Sequence, residues 1–370
     1  MRRRSCFGIV VVVLWVASAV LSVPVSAAPW PPVAYLPLVA QGAGVQSTSL
    51  KEYQVPGNPA FIAAGTPGQV WFTMPARNQI GRLNTTSPNP IGTYDVPTSN
   101  SEPYRIVFAG GMVWFSELSG NKIGRLDPAT GIISEFPLPT ADARPSGLDV
   151  MTGNPTTVWF TESSTSANAI GRLVVTDTLH FAINEYSISA SASNAKPEEI
   201  HIQNSNLIWF SAPGASRIYL FVLSAWPNPV AALAFVPMGT GSQPWAIDMD
   251  GRGFLWATDR SLGRILEVYP TTMQWTNVYW LPTVAADPFD MLVHSRTIWF
   301  TELNGNALGR LQITGTATGA FTEFALISNS QPMGLTRDAD GCIWVAEYGG
   351  SRIGSLCLQP LYLPMIQRSR

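Results

Sequence analysis

Seven times between residues 70 and 346 the chain repeats an apolar residue, a tryptophan and a mostly apolar or small pair. The segments are Val70-Trp71-Phe72-Thr73, Val113-Trp114-Phe115-Ser116, Val158-Trp159-Phe160-Thr161, Ile208-Trp209-Phe210-Ser211, Leu255-Trp256-Ala257-Thr258, Ile298-Trp299-Phe300-Thr301 and Ile343-Trp344-Val345-Ala346. Their tryptophans are 43, 45, 50, 47, 43 and 45 residues apart. A strand around an arginine follows each one, as in Ile123-Gly124-Arg125-Leu126, and then an alternating strand such as Glu135-Phe136-Pro137-Leu138-Pro139. Each unit opens on a proline with an apolar residue three positions later: Pro59, Pro103, Pro145, Pro197, Pro244, Pro288 and Pro332. Four short strands in about 45 residues, repeated, are the signature of a β-propeller, because one such sheet cannot bury its faces alone. The expected fold is all-β, a seven-bladed propeller of four-stranded blades over residues 50–358. Lys51-Glu52-Tyr53-Gln54 resembles a fourth strand placed before the first unit, and the seventh unit lacks one, so the N-terminal strand is expected to complete the last blade.

The composition agrees. Only 12% of residues are charged, and 31 glycines and 30 prolines punctuate the chain, which suits short strands and turns better than long helices. Residues 1–27 differ: Arg2, Arg3 and Arg4 precede an apolar run from Cys6 to about Val23, and small residues follow to Ala28. This is a signal-peptide pattern, with an uncleaved anchor as the competing reading. The expected location is secreted or extracytoplasmic. The 22 basic residues less those three arginines leave 19 against 24 acidic, a net charge of −5, which disfavours a nucleic-acid partner.

Cleavage would leave Cys342 and Cys357. Ile343 to Glu347 and Arg352 to Leu356 read as a hairpin about Tyr348-Gly349-Gly350-Ser351, which sets residue 342 opposite 357, within reach of a disulfide. Two reduced core cysteines are the alternative.

The repeated P-x-x-I, V-W-F-T-E, N-x-I-G-R-L and E-(F/Y)-x-(L/V)-P, spanning about residues 50 to 357, resembles the streptogramin lyases, also called virginiamycin B lyases. The resemblance implies a magnesium-assisted elimination that opens a cyclic depsipeptide ester, with histidines following the repeat prolines and a glutamate in the final blade. Here the residues after those prolines are Ala60, Tyr104, Ser146, Glu198, Trp245, Phe289 and Met333, and Tyr348 holds the place of the glutamate. The histidines, His180, His201 and His294, fall elsewhere.

Glu198, Glu199 and His201 mix carboxylates and imidazole at one strand entry, with Glu199 and His201 on a common face, and are candidates for catalysis. Glu198 and His201 are candidates for a metal, against the plain reading of a solvated strand entry. Tyr104, Glu198, Trp245, Phe289 and Met333 are expected to line one mouth of the channel, as a ligand pocket or as a plug. Arg105 could add a polar contact there. Asp149, Asp248 and Asp290 read as structural acids. Glu117, Glu162, Asp259, Glu302 and Glu347 follow their tryptophan segments and are expected to pair with Arg125, Arg172, Arg264, Arg310 and Arg352.

Val33-Ala34-Tyr35-Leu36-Pro37-Leu38-Val39 and Pro360-Leu361-Tyr362-Leu363-Pro364-Met365-Ile366 are similar apolar ends. The first lies within a linker, 28–49, and the second in a C-terminal tail, 359–370, that could attach to an envelope partner. The sequence reading is a monomeric ligand-binding or interaction module that takes a small molecule or peptide at the mouth and needs no cofactor. The alternative is a magnesium-dependent lyase.

Overall fold

The computed structural model describes residues 50–357 apart from 88–89, 178–179, 190–192, 224–230 and 316. The signal segment 1–27, the linker 28–49 and the tail 359–370 lie outside the described residues. Seven four-stranded antiparallel sheets form the blades of a β-propeller. In blade 3, for example, the strands run Pro145–Met151, Thr156–Glu162, Ala169–Val175 and Phe181–Ser187, paired in that order. Blades 1, 2, 4, 5 and 6 span 62–95, 103–137, 200–237, 244–280 and 288–325. Blade 7 takes three strands from 332–356, and Lys51–Gln54 pairs with Arg352–Leu356 as its fourth, so the two ends of the repeat array close the ring as expected. No helix among the described residues is long and apolar enough to cross a membrane.

The second strand of each blade is buried on both faces, and its tryptophan packs between blades. Trp114 of blade 2 lies with Leu148, Val158 and Phe160 of blade 3, and Trp344 of blade 7 with Ile62 and Phe72 of blade 1. The phenylalanine after the tryptophan explains the glycine of I-G-R. A Cβ on Gly171 would stand 2.0 Å from the Phe160 ring, to which it is directly paired. Blade 5 exchanges the two sizes, with Ala257 opposite Leu266, and conserves the packed volume.

A proline-led irregularity in the first strand prepares the mouth. In blades 2, 3, 5, 6 and 7 the register shifts between the proline and the apolar residue three positions on. The bulge frees the amide of the second residue after the proline from the ladder. A hydroxyl from the second strand accepts that amide. Thr73 Oγ1 accepts from Phe61, Ser116 Oγ from Arg105, Thr161 Oγ1 from Gly147, Ser211 Oγ from Glu199, Thr258 Oγ1 from Ala246 and Thr301 Oγ1 from Asp290, at 2.8–3.1 Å. Five of these hydroxyls also donate to the next blade, to the carbonyls of Tyr104, Ser146, Glu198, Trp245 and Met333 at 2.6–2.8 Å. Blade 7 has Ala346 in this position, and there the Gly334 amide reaches the Ala60 carbonyl directly at 2.8 Å. Asp149, Asp248 and Asp290 add a second tie, each accepting a backbone N–H of the following blade, from Ile202, Val293 and Leu335. They are the structural acids expected.

Cys342 and Cys357 form a disulfide beyond the Ile343–Leu356 pair, where the hairpin reading placed them. Closing so short a loop stabilises by about 3 kcal/mol in the chain-entropy model.

The expected pairing of the repeat acids with arginine holds in two blades and fails in three. Arg264 meets Asp259 at 2.9 Å and Arg352 meets Glu347 at 3.4 Å. Arg125, Arg172 and Arg310 instead lie over Trp114, Trp159 and Trp299 at 5.5–5.7 Å. Register is the cause. The arginine of I-G-R is directly opposite the tryptophan, whereas Arg264 and Arg352 stand three positions earlier, opposite the acid. That earlier position holds Lys122 in blade 2, and Ala169 and Ala307 in blades 3 and 6. Glu162 and Glu302 are fully buried without a hydrogen bond of good geometry, facing Glu185 and Glu323, and Glu117 is buried and raised to about 8 in the same way because Lys122 opposite it pairs with Glu135 instead. Burial first, and the neighbouring carboxylate second, push Glu162 and Glu302 up to about 8.

Two outcomes follow. Replacing Thr301 with valine strands the Asp290 amide and the Met333 carbonyl, and is expected to cost about 1–3 kcal/mol in urea unfolding. The folded state holds the protons of Glu162 and Glu302 more tightly than the unfolded chain, whose carboxyls titrate near the ordinary 4.5. The resulting stability is full below about pH 4.5 and is lost as pH rises through about 8. Scanning calorimetry is expected to show a melting temperature that falls over this window, with a shallower fall in a Glu162→Gln, Glu302→Gln variant, which has no carboxyl to ionise at these two positions.

Candidate functional site

The seven residues that follow the repeat prolines ring one mouth of the channel, five of them held by the hydroxyl relay through their carbonyls and Ala60 by the Gly334 amide. They divide into two arcs. Tyr104, Ser146 and Glu198, from blades 2, 3 and 4, form a polar arc in which Ser146 Oγ donates to Glu198 Oε2 at 2.6 Å. Trp245, Phe289 and Met333, from blades 5, 6 and 7, join Ala60 and Phe61 of blade 1 in an apolar cluster that also takes in Tyr104 and Tyr348. Ring centroids are 5.4 Å apart for Trp245 and Phe289, 5.9 Å for Phe289 and Phe61, and 4.7 Å for Phe61 and Tyr104. Tyr104, Trp245, Phe289 and Met333 thus meet in one cluster, Glu198 lies outside it on Ser146, and of these five only Phe289 is buried rather than half-buried.

Guanidinium groups surround Glu198. Arg105 extends over Phe61 at 4.1 Å and is ion-paired with Glu199 and with Asp290. Arg260 lies over Trp245 at 4.4 Å and Phe289 at 4.5 Å while its Nε and Nη2 reach Asp287 at 2.6 and 2.8 Å. Arg144 precedes Pro145 in the left-handed region, φ 55°, and its nearest acid is Glu102 at 4.0 Å. Burial pushes the Glu198 carboxyl up to about 7, against the Ser146 hydrogen bond and the three arginines, which pull it down. Burial and then the Glu198 charge hold the Tyr104 phenol above its ordinary range. Arg144 and Arg260 were not legible as site residues. They follow no shared motif, although each occupies a rim position that varies from blade to blade.

Glu199 and His201 share a face, as expected, but not the mouth. They line the channel beneath it, in a cavity of about 390 Å³ with Arg105, Asp149, Asp290 and Arg337. His201 Nδ1 stands 3.7 Å from Asp248 Oδ1, and Glu198 does not line this cavity. His180 lies in an exposed turn against Asp177, and His294 ends its strand at the hairpin remote from the mouth. No group of three or more His, Cys, Asp or Glu among the described residues is placed to hold a metal. The donor set at Glu198 does not suit magnesium: one carboxyl, already hydrogen-bonded, stands among three guanidiniums whose charge repels a dication.

A family model described as the virginiamycin B lyase family matches residues 42–221 and 233–360. Over 109 residues the chain is 28% identical to the virginiamycin B lyase of Nocardia farcinica, a match covering 28% of this chain and 34% of that protein's length. Among solved structures it is similar to a streptogramin B lyase, with 29% identity, a TM-score of 0.72, and coverage of 84% of this chain and 98% of the other. A catalytically inactive histidine-to-alanine variant of virginiamycin B lyase from Staphylococcus aureus, solved with quinupristin, aligns with 27% identity, a TM-score of 0.71 and coverage of 84% and 99%. Repeat, ring closure and family model agree over the described blades, and the chain belongs to the virginiamycin B lyase family.

Proposed function

We propose that this propeller binds a ligand at the mouth between the aromatic and polar arcs, and does not perform the histidine-dependent elimination of its relatives. The observation that carries this reading is the ring of residues after the repeat prolines, which contains no imidazole, while His180, His201 and His294 lie elsewhere. The inactive S. aureus variant solved with quinupristin lacks a histidine, which supports a need for that side chain in the relative's chemistry. Trp245, Phe289 and Met333 supply the apolar surface, and Tyr104, Ser146 and Glu198 the few oriented polar groups, that suit a small molecule or short peptide. The reading requires no cofactor and places the ligand where the relatives' family would place its substrate.

One observation favours a second reading, a carbon–oxygen lyase. Glu198 follows a repeat proline, as the family's histidines do, and burial pushes its carboxyl up to about 7, in the range of an imidazole. Quinupristin separates the two. The binding reading predicts saturable quenching of tryptophan fluorescence, weakened about tenfold or more in Trp245→Ala, with the ring intact by mass spectrometry. Ring opening that disappears in Glu198→Gln would establish the lyase reading instead, and the absence of any binding would remove the mouth as this ligand's site.

A further inference from the structure

We infer that blades 3 and 6 each bind a monovalent cation between an inner and an outer glutamate, Glu162 with Glu185 and Glu302 with Glu323, at the place a basic side chain takes in blades 2 and 7. The inference does not rest on the binding reading of the mouth. The same pair of acids recurs in four blades. The inner acid ends the second strand and the outer one lies opposite the glycine of the third: Glu117 with Glu135, Glu162 with Glu185, Glu302 with Glu323, and Glu347 with Glu52. In blade 7 the Arg352 guanidinium serves both acids, at 3.2 Å from Glu52 and 3.4 Å from Glu347. In blade 2 Lys122 Nζ donates to Glu135 Oε2 at 2.6 Å and to the Thr98 hydroxyl. Blades 3 and 6 have Ala169 and Ala307 opposite the inner acid instead.

Blade 5 shows the inner acid fully satisfied. Asp259 accepts from Ser242 Oγ at 2.7 Å, from Arg264 Nε at 2.9 Å and from the Gln243 amide at 3.0 Å. Two residues before the repeat proline, where blade 5 has Ser242, blades 3 and 6 have the buried Ala143 and Ala286, so hydroxyl and base are both replaced by alanine. Blades 1 and 4 carry no acid there, with Met74 and Ala212 at the position. Blades 3 and 6 keep theirs, and both oxygens of Glu162 and of Glu302 are buried without a hydrogen bond of good geometry, an expensive state for an unpaired charge. The outer side of each pair already has the form that blade 2 presents to an ammonium group. Glu185 Oε2 accepts from the Thr140 hydroxyl at 2.6 Å and Glu323 Oε2 from that of Thr283 at 2.9 Å, as Glu135 Oε2 does from Thr98 at 2.8 Å. Glu185 is half-buried and Glu323 exposed, which leaves a path from solvent.

Blades 2 and 7 supply a single positive charge to such a pair, and two carboxyls with one hydroxyl fall short of the about six to eight oxygens a calcium ion takes. The charged group that acts on each inner acid is its outer glutamate. Burial and that charge keep a proton on Glu162 and Glu302 up to about 8, so the cation competes with the proton and binds better as pH rises.

The experiment melts the full chain by calorimetry at about pH 9 in potassium chloride or in choline chloride, each at about 0.1 M to hold screening equal. Potassium, close in size to an ammonium group, is expected to raise the melting temperature by about 3 °C or more over choline. The difference shrinks to about half or less at about pH 6, where the proton holds the site. Glu185→Gln with Glu323→Gln, at positions that reach the surface, abolishes it. So does Ala169→Lys with Ala307→Lys, which supplies the ammonium group from the chain itself. Crystals soaked in rubidium chloride are expected to show anomalous scattering between the paired carboxyls of both blades. Equal melting temperatures in the two salts, a difference that survives Glu185→Gln with Glu323→Gln, or rubidium found only elsewhere would overturn the inference. Stabilisation by millimolar calcium with none by potassium would overturn it too, by making the bound ion divalent.

Discussion

A buried hydroxyl that accepts from one strand and donates to the next blade is the interaction on which the mouth depends. A propeller blade can satisfy its own strands, but the first-strand bulge leaves an amide outside the ladder, and a buried amide without a partner costs about 1–3 kcal/mol. Threonine or serine after the tryptophan pair meets that amide in six blades. Where the same hydroxyl donates to the neighbouring carbonyl, it fixes the spacing of adjacent blades at the height of the mouth residues. Side chains after the prolines can then change freely, because only their backbone is used. This is how one scaffold keeps its geometry while the residue after the proline is Tyr104, Glu198 or Trp245 in different blades.

The blade 7–blade 1 seam tests that description. Its relay position holds Ala346 and the Gly334 amide closes the distance itself, while Thr336 Oγ1 of blade 7 accepts the Ala64 amide of blade 1 at 3.2 Å. A Cβ on Gly334 would lie 2.7 Å from the Phe61 Cα, so the direct contact requires glycine there. The seam is reinforced by Lys51–Gln54, which completes blade 7 from the other end of the array, and by the Cys342–Cys357 disulfide.

Much of this was legible in the sequence. Tryptophan spacing, the proline that opens each unit and the orphan strand at Lys51 defined seven blades and their closure, because each reflects a requirement repeated seven times. The hairpin register of residues 342–357 followed from turn chemistry alone. What repetition concealed was position within the repeat. Arg125 and Arg264 look like the same residue of the same motif, but they differ by three places and so face a tryptophan in one blade and an acid in the other. Residues used once are harder still. Tyr104, Trp245 and Phe289 were found because they break the repeat at a known place, whereas Arg144 and Arg260 come from rim positions without a shared pattern. Their role emerges only when the ring brings blades 2, 3, 4 and 5 around Glu198.

Native-state hydrogen exchange of the amides of Arg105, Gly147, Glu199 and Asp290 tests most directly whether the hydroxyl relay holds the mouth. These amides are bonded only to second-strand hydroxyls among the described partners, outside the regular ladder. If the relay is structural, they exchange only with global unfolding and are as protected as the central strand amides of Phe160 and Phe300. Exchange at the rate of exposed loops would show a mouth that opens independently of the blades, and would contradict the account.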